Sequence, residues 1–376
     1  GLMNFHPTVY YNGASAHTLP VSVSGNYSIF TVSQMQGTLN GRVFQSEVGN
    51  VLMGYHGGLE DRLYLNAWLN TGKAVTTDIN MYSLQRSTTG AYEFRGEGTV
   101  IKQAASGSAN VTWKMNIGGR SAVNEPSRVF VGEVVAYNRD VTAAEAHRIE
   151  SYLAYKYGLT LNNGNTNYLA SDGTTIMWPT DATYKHDVAG IGLDECTELN
   201  QKQSKSQNTD DIVTVALGGE VMPTNRDNLV DFADDNPTLY GDMSFLSWAN
   251  NDGNVNLIAE ANGTLVSARS ERVWRAYKHN FSDQEITLCF DNYEADAYLL
   301  ISNSDPTFGT INQEIQLDGN GCTTLMSDLL PNGAYFAVGK LLSGPGCVNA
   351  GIAMWLRADE GPNDAGSGTA DEWSDY

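Results

Sequence analysis

From Pro7 to Asn138 the chain is a succession of short runs rich in β-branched and aromatic residues: YSIFTVSQ, RLYLNAWLN, AYEFRGEG, NVTWKMNIGG and RVFVGEVVAYN. These runs are cut apart by Asn12-Gly13, Ser24-Gly25, Asn40-Gly41 and Gly57-Gly58. Glycine accepts the left-handed backbone of tight turns, and branched or aromatic side chains pack well on a pleated surface. The punctuation therefore predicts short strands in a sandwich. One segment breaks the pattern. Thr142 is followed three positions later by Glu145, a capping box, and Ala146, Ile149, Leu153 and Tyr157 recur at helical spacing until Gly158. A helix is expected there, its apolar stripe packed at the edge or base of the sandwich.

After Leu161 the polar stretch NNGNTN reads as a linker. Strand signals resume in TTIMWP, DIVTVALGG, LSWANNDG, RVWRAYKHN, EITLCFDN, AYLLISNS and YFAVGK. The expected fold class is all-β: a concanavalin-like jelly-roll sandwich over 1–160, with one short helix after it, and a companion β-sandwich-like domain over 161–343. Ser343-Gly344-Pro345-Gly346 cannot continue a helix or a central strand, so residues 344–376 form a hinge and a separate strand. No repeat of about 20 to 50 residues recurs, which argues against a solenoid.

Composition narrows the classes of function. Lys+Arg 22 against Asp+Glu 43 gives a net charge of -21, so nucleic acid and anionic lipid, which need a basic footprint, are excluded as partners. No run approaches the roughly 18 apolar residues of a membrane helix. Gly 38 and Tyr 19 in a chain only 17% charged suit a loop-rich β protein. Cys196, Cys289, Cys322 and Cys347 include no C-x-x-C pair, which excludes the common zinc knuckles. Cys289 with Cys322 across a small sheet, and Cys196 with Cys347, is one pairing. The other pairings, and free buried thiols, stay open. Bridges would imply an oxidising, exported location.

The segment VFVGEVVAYNRDVTAAEAHRIESYLAYKYGLTL resembles the closing strand and helix of laminin-G-like, concanavalin-type jelly rolls in very large secreted bacterial proteins. VAGIGLDECTELNQKQSKS, FLSWANNDG and YLLISNSDPTFG resemble the companion β domain that trails it. In that family the jelly roll opens with a strand like MWLRADEG and a turn like EWSDY, which here lie at the C-terminus. The resemblance implies a secreted, cell-surface role as adhesin, matrix or filament subunit. It also suggests one unit of a tandem array, in which residues 347–376 complement a jelly roll, either its own or that of another copy. Ile352, Met354, Trp355 and Leu356 are the assembly strand, with alternate residues filling the core according to register.

The alternative reading is a carbohydrate-binding adhesin module. Trp68, beside Asn66 and Asn70 in YLNAWLN, and Trp113 in NVTWKMN are the candidate sugar platforms. Strand alternation would place Asn66, Trp68 and Asn70 on one polar face. Trp248 and Trp274 are expected to anchor the second core. Asp234, Asp235 and Asp242, with Asn251 and Asp252, could supply the roughly six to eight oxygens that calcium prefers, against a bland reading as solvated turns. No cofactor is required by the sequence; calcium is the one candidate. Catalysis is not expected: there is no Glu-x-Asp-x-Glu strand, no G-x-S-x-G, no P-loop and no Rossmann fingerprint, and the six histidines are scattered.

Overall fold

The computed structural model describes residues 1–14, 16–37, 41–119, 125–208, 210–233, 241–257, 259–261, 263–341, 362–363 and 372–373. The molecule is all-β with a single α-helix among the described residues. No described helix is long and apolar enough to cross a membrane.

The N-terminal half is a sandwich of two six-stranded antiparallel sheets. In the first, strands run in the order Thr99–Ala104, Tyr92–Gly96, Ile79–Arg86, Tyr27–Met35, Arg128–Tyr137 and Val9–Asn12. In the second the order is His17–Ser24, Thr112–Ile117, Phe44–Ser46, Val51–His56, Leu59–Leu65 and Lys73–Ala74. Successive side chains alternate between faces, and the buried sets follow that period of two. Tyr27, Ile29, Tyr82, Leu84 and Phe94 meet Phe44, Met53, Leu63 and Trp113 between the sheets. Phe30, Val32, Ile79 and Met81 point out of the first sheet's other side, into a second core.

The helix explains what covers that side. Ala143–Tyr157 starts with the predicted capping box: Glu145 N–H donates to Thr142 Oγ1 at 3.2 Å, and Thr142 N–H donates to Glu145 Oε2 at 2.8 Å. It ends at Gly158, which is left-handed at φ 64°; a Cβ there would also sit 2.3 Å from the Lys205 carbonyl oxygen. The expected placement at an edge or base is corrected. The helix lies between the two halves, where Ala146, Leu153, Ala154 and Tyr157 share one core with Phe30, Val32 and Met81 on one side and Trp178, Val188 and Phe245 on the other. Tyr155 passes into the second half, donating to the Ile191 carbonyl at 2.9 Å and lying 3.0 Å from Ser247 Oγ. The approach is so close that a Cβ on Gly190 would lie 2.2 Å from the Tyr155 hydroxyl. Burial of this apolar surface holds the two halves in one arrangement.

The C-terminal half packs a nine-stranded sheet, centred on His186–Asp194, Ser244–Asn250, Trp274–His279 and Tyr335–Lys340, against a four-stranded one. The smaller sheet contains Gln203–Lys205, Val213–Leu217, Glu285–Phe290 and Cys322–Met326. Trp248 and Trp274 lie in its core, with Trp274 stacked on Phe336 at 5.6 Å. Cys289 and Cys322 face each other across two strands and form a disulfide. Cys196 is an exposed free thiol. Cys347, and the assembly residues Ile352, Met354, Trp355 and Leu356, lie outside the described residues. The backbone of Pro362–Asn363 pairs antiparallel with Glu372–Trp373 in a two-stranded sheet of its own.

Candidate functional site

The two candidate sugar platforms separate in the structure. Trp113 is 1% exposed and packs edge-on to Tyr27 inside the first sandwich, so it is not available to a ligand, and that expectation is corrected. Its strand alternates Trp113, Met115 and Ile117 into the core, which leaves the indole on the wrong side.

Trp68 is 42% exposed. It does not share a strand face with Asn66 and Asn70, because the strand Leu59–Leu65 ends one residue earlier and Asn66 is left-handed at φ 59°. The turn folds Trp68 back to a bridge with Tyr64. Asn70 closes the turn, accepting from Leu63 N–H at 2.9 Å and donating to the Asp61 carbonyl. Asn66 is exposed. Because Leu63 and Leu65 point inward, Arg62 and Tyr64 point out of the second sheet, and Trp68 joins them there. The Arg62 guanidinium lies over the indole at 3.7 Å, while Tyr64 and His56 approach it at 4.9 and 5.0 Å. His56 Nε2 is 3.0 Å from Glu125 Oε1, and Glu125 also pairs with Arg42. Partial burial would raise the Glu125 carboxyl, but Arg42 and His56 hold it below its ordinary value. Among the described residues, the helix and the second half pack on the first sheet's outer side and leave this side of the sandwich uncovered.

A second feature opens where the halves meet: a cleft of about 660 Å³ with one wall from each sandwich. On the N-terminal wall the register shifts between Gly54 and His56, and Asp61 is left-handed at φ 60°. Consecutive Glu60 and Asp61 therefore both line the cleft, which a regular strand would not allow. Glu60 accepts from Thr76 N–H at 3.0 Å and from Asn80 Nδ2 at 3.4 Å. Asp61 accepts from the Tyr82 hydroxyl at 3.0 Å. Lys73 Nζ lies 3.4 Å from Glu60 and 3.2 Å from Asp61. Desolvation opposes the Lys73 charge, but the two carboxylates prevail and raise its pKa.

Among the described residues Glu97 has no such cation in contact. Its Oε1 accepts from Met81 N–H at 2.9 Å, and burial pushes its carboxyl up to about 7. Its carbonyl accepts from Asn162 N–H at 2.6 Å, which ties this turn to the opposite half. The facing wall holds Asp187, left-handed at φ 54°, which accepts from Asn208 and Asn250 side chains at 2.6 Å each. Arg272 stands behind it, 2.9 Å from Asp210 and 3.8 Å from both Asp187 and Asp252.

The calcium expectation is corrected for its described members. Asp242 sits beyond one end of the strand Ser244–Asn250 and Asn251-Asp252 beyond the other; at about 3.3 Å per residue the strand alone spans about 20 Å between them. Asp242 instead accepts from Glu195 N–H at 2.8 Å, and Asn251 accepts from Val273 N–H at 2.9 Å. Asp234 and Asp235 lie outside the described residues. Among the described residues no three His, Cys, Asp or Glu side chains gather as metal ligands. Sequence reasoning passed over Glu60, Asp61, Glu97 and Asp187. The only local signal was the charged triplet Glu60-Asp61-Arg62 inside an otherwise apolar strand.

Fold and site together define a two-sandwich β protein with a fixed polar junction. Residues 145–334, just over half of the chain, match the family described as a domain of unknown function, DUF8202, and the chain belongs to that family. The match begins inside the helix and thus joins the helix to the C-terminal sandwich. No curated protein matches the sequence. Among solved structures, the binding domain of Botulinum Neurotoxin DC in complex with SialylT is 10% identical, covering 92% of this chain and 91% of that one, with a TM-score of 0.30. Trypanosoma rangeli sialidase is 17% identical over 32% of this chain, with a TM-score of 0.25; this chain spans 21% of its length. The T. cruzi calreticulin globular domain is 11% identical over 38% of this chain and 73% of that one, also at 0.25. At these scores the likenesses assign neither ligand nor activity.

Proposed function

We propose that this chain is a non-catalytic carbohydrate-binding unit of an extracellular surface protein, with Trp68 as the seat of a sugar ring. The observation that carries the reading is the 42% exposed indole on the uncovered face of the first sandwich. An aromatic side chain of this size is ordinarily buried, as the other described indoles are, and an exposed one backed by Arg62 offers a flat apolar surface for the C–H face of a pyranose. Arg62 and His56 lie against it and Glu125 stands behind His56, offering donors and acceptors for hydroxyls. The Cys289–Cys322 bridge supports an oxidising, extracellular location. A glycan array run with the full chain and with Trp68→Ala, with and without calcium, tests it. Wild-type binding abolished by the substitution is expected, and an array empty for the wild-type chain, or unchanged by the substitution, sinks the reading.

Head-to-tail assembly through the C-terminal segment is a second reading. It is favoured by one observation: Val9–Asn12 is an edge strand paired only to Arg128–Tyr137 among the described residues, with Val9 59% and Tyr10 49% exposed. Such an edge is open to strand addition. Concentration-dependent growth in light scattering, lost on truncation after Gly346, is the expected result. A monomer at every concentration overturns it.

A further inference from the structure

We propose that the cleft between the two sandwiches is a preformed binding site for a cationic, polyhydroxylated ligand, specifically an oligosaccharide of amino sugars. Trp68 does not line this cleft, so the proposal goes beyond the platform reading and does not depend on it.

Three observations lead there. The first is preorganisation. The walls cannot drift apart without exposing the core that Phe30, Val32 and Met81 of the first sandwich share with Leu153, Val188 and Phe245, and the Asn162–Glu97 hydrogen bond pins the rim. A site that is already formed binds without the ordering cost of closing two domains. The second is size. A cleft of about 660 Å³ falls within the range of small-molecule sites at domain junctions and is far too large for a lone ion, and no metal-binding group gathers among the described residues.

The third is the balance of donors, acceptors and charge. The Asn80 and Asn208 amide N–H groups are already engaged by Glu60, Asp78, Thr160 and Asp187, which leaves the Asn163 amide and the Thr160 hydroxyl proton as wall donors beside the carboxylate acceptors. A ligand that only donates, such as an aliphatic polyamine, would leave the Asn163 amide and the Thr160 hydroxyl proton unmatched; sugar hydroxyls both donate and accept. Seven carboxylates line the walls against two lysines; Lys73 is paired with Glu60 and Asp61, while Lys185 donates to the neutral Asn165 at 3.2 Å and keeps its charge, so the balance stays negative. Arg272 is shared among Asp187, Asp210 and Asp252. Asp78 and Glu97 are left with no ion pair among the described residues, on the same wall of the same cleft. A polar recess with surplus negative charge focuses its field on cations. A neutral glycan would leave that surplus uncompensated, whereas a protonated 2-amino group answers it. Uptake of the cation would also favour the ionised form of Glu97, so binding should strengthen as pH rises from about 5 and fall off again once the 2-amino groups lose their own protons near neutrality.

Isothermal titration calorimetry of the full chain with glucosamine tetramer tests the proposal. The N-acetylated tetramer and spermine serve as comparison probes. The expected result is glucosamine-tetramer binding that weakens with added salt, is reduced about tenfold by Glu97→Gln or by Asp78→Asn, and survives Trp68→Ala. Asp78 is exposed, so its variant separates loss of the site from loss of the fold, with unchanged thermal unfolding as the check. No binding of the glucosamine tetramer overturns the proposal. So does equal affinity for the N-acetylated tetramer, equal affinity for spermine, or loss of binding in Trp68→Ala.

Discussion

In the C-terminal half Trp178, Trp248 and Trp274 are each no more than 1% exposed, whereas the N-terminal sandwich buries Trp113 to the same degree and leaves Trp68 42% exposed. Both regions are built from the same kind of strands, so the difference lies in where the backbone puts each ring. Trp248 and Trp274 sit on regular strands whose alternation sends them inward, and Trp274 stacks on Phe336 and meets Phe290 at 5.8 Å. Trp68 follows a left-handed residue that ends its strand, and the chain turns it outward. The C-terminal sandwich, further closed by its disulfide, reads as a stable base. The N-terminal sandwich presents surface.

That contrast can be broken most directly at the buried ring. Trp274→Ala should destabilise the protein by about 3–5 kcal/mol, the loss expected when a large core aromatic leaves a cavity, as read by urea denaturation. A loss below 1 kcal/mol would mean that the second core is not organised around this indole.

A smaller effect distinguishes the two walls of the cleft. Burial of Glu97 raises its folded-state pKa to about 7, above the ordinary 4.5, so the folded protein holds that proton more tightly than the unfolded chain does. The contribution is therefore most favourable below about pH 4.5 and is lost as pH rises through 7. Allowing for solvent at the cleft mouth, it amounts to something on the order of 1–2 kcal/mol. Glu97→Gln should flatten this decline and make the variant the more stable of the two at pH 8, measured as denaturation midpoints across pH. An unchanged pH profile would show that the carboxyl is solvated like any surface glutamate. Smallest of all, Trp68→Ala should move the same midpoint by no more than about 0.5 kcal/mol, since an exposed ring contributes little to folding. A shift comparable with that of Trp274→Ala would erase the distinction between presented and buried rings.

Much of the architecture was legible because it depends on neighbours in sequence. Runs of branched and aromatic residues between glycine turns specify strands, and Thr142, Glu145 and Gly158 mark a helix whose caps form as expected. Cys289 and Cys322 were near enough to adjacent strand signals to suggest one bridge among several. The site was far less legible. Extending the strand alternation past Leu65 misplaced Trp68 relative to its asparagines, because nothing local announces that Asn66 takes a positive φ. The same alternation could not tell which face of its strand Trp113 would present to the core. Asp242 and Asp252 looked close along the chain, yet a seven-residue strand holds them apart.

By itself, then, the sequence determined that this is an acidic, all-β chain of two sandwiches with one capped helix, since turn chemistry, side-chain period and helix capping act over a few residues. The docking of those sandwiches was decided only in three dimensions. Phe30, Val32 and Met81 share a buried core with Leu153 and Phe245 across the junction, and only that packing brings Glu60, Asp61 and Glu97 to face Asp187 across a cleft. Residues so distant in the chain share no local interaction that could reveal the pairing, and the free energy that joins them belongs to the shared core.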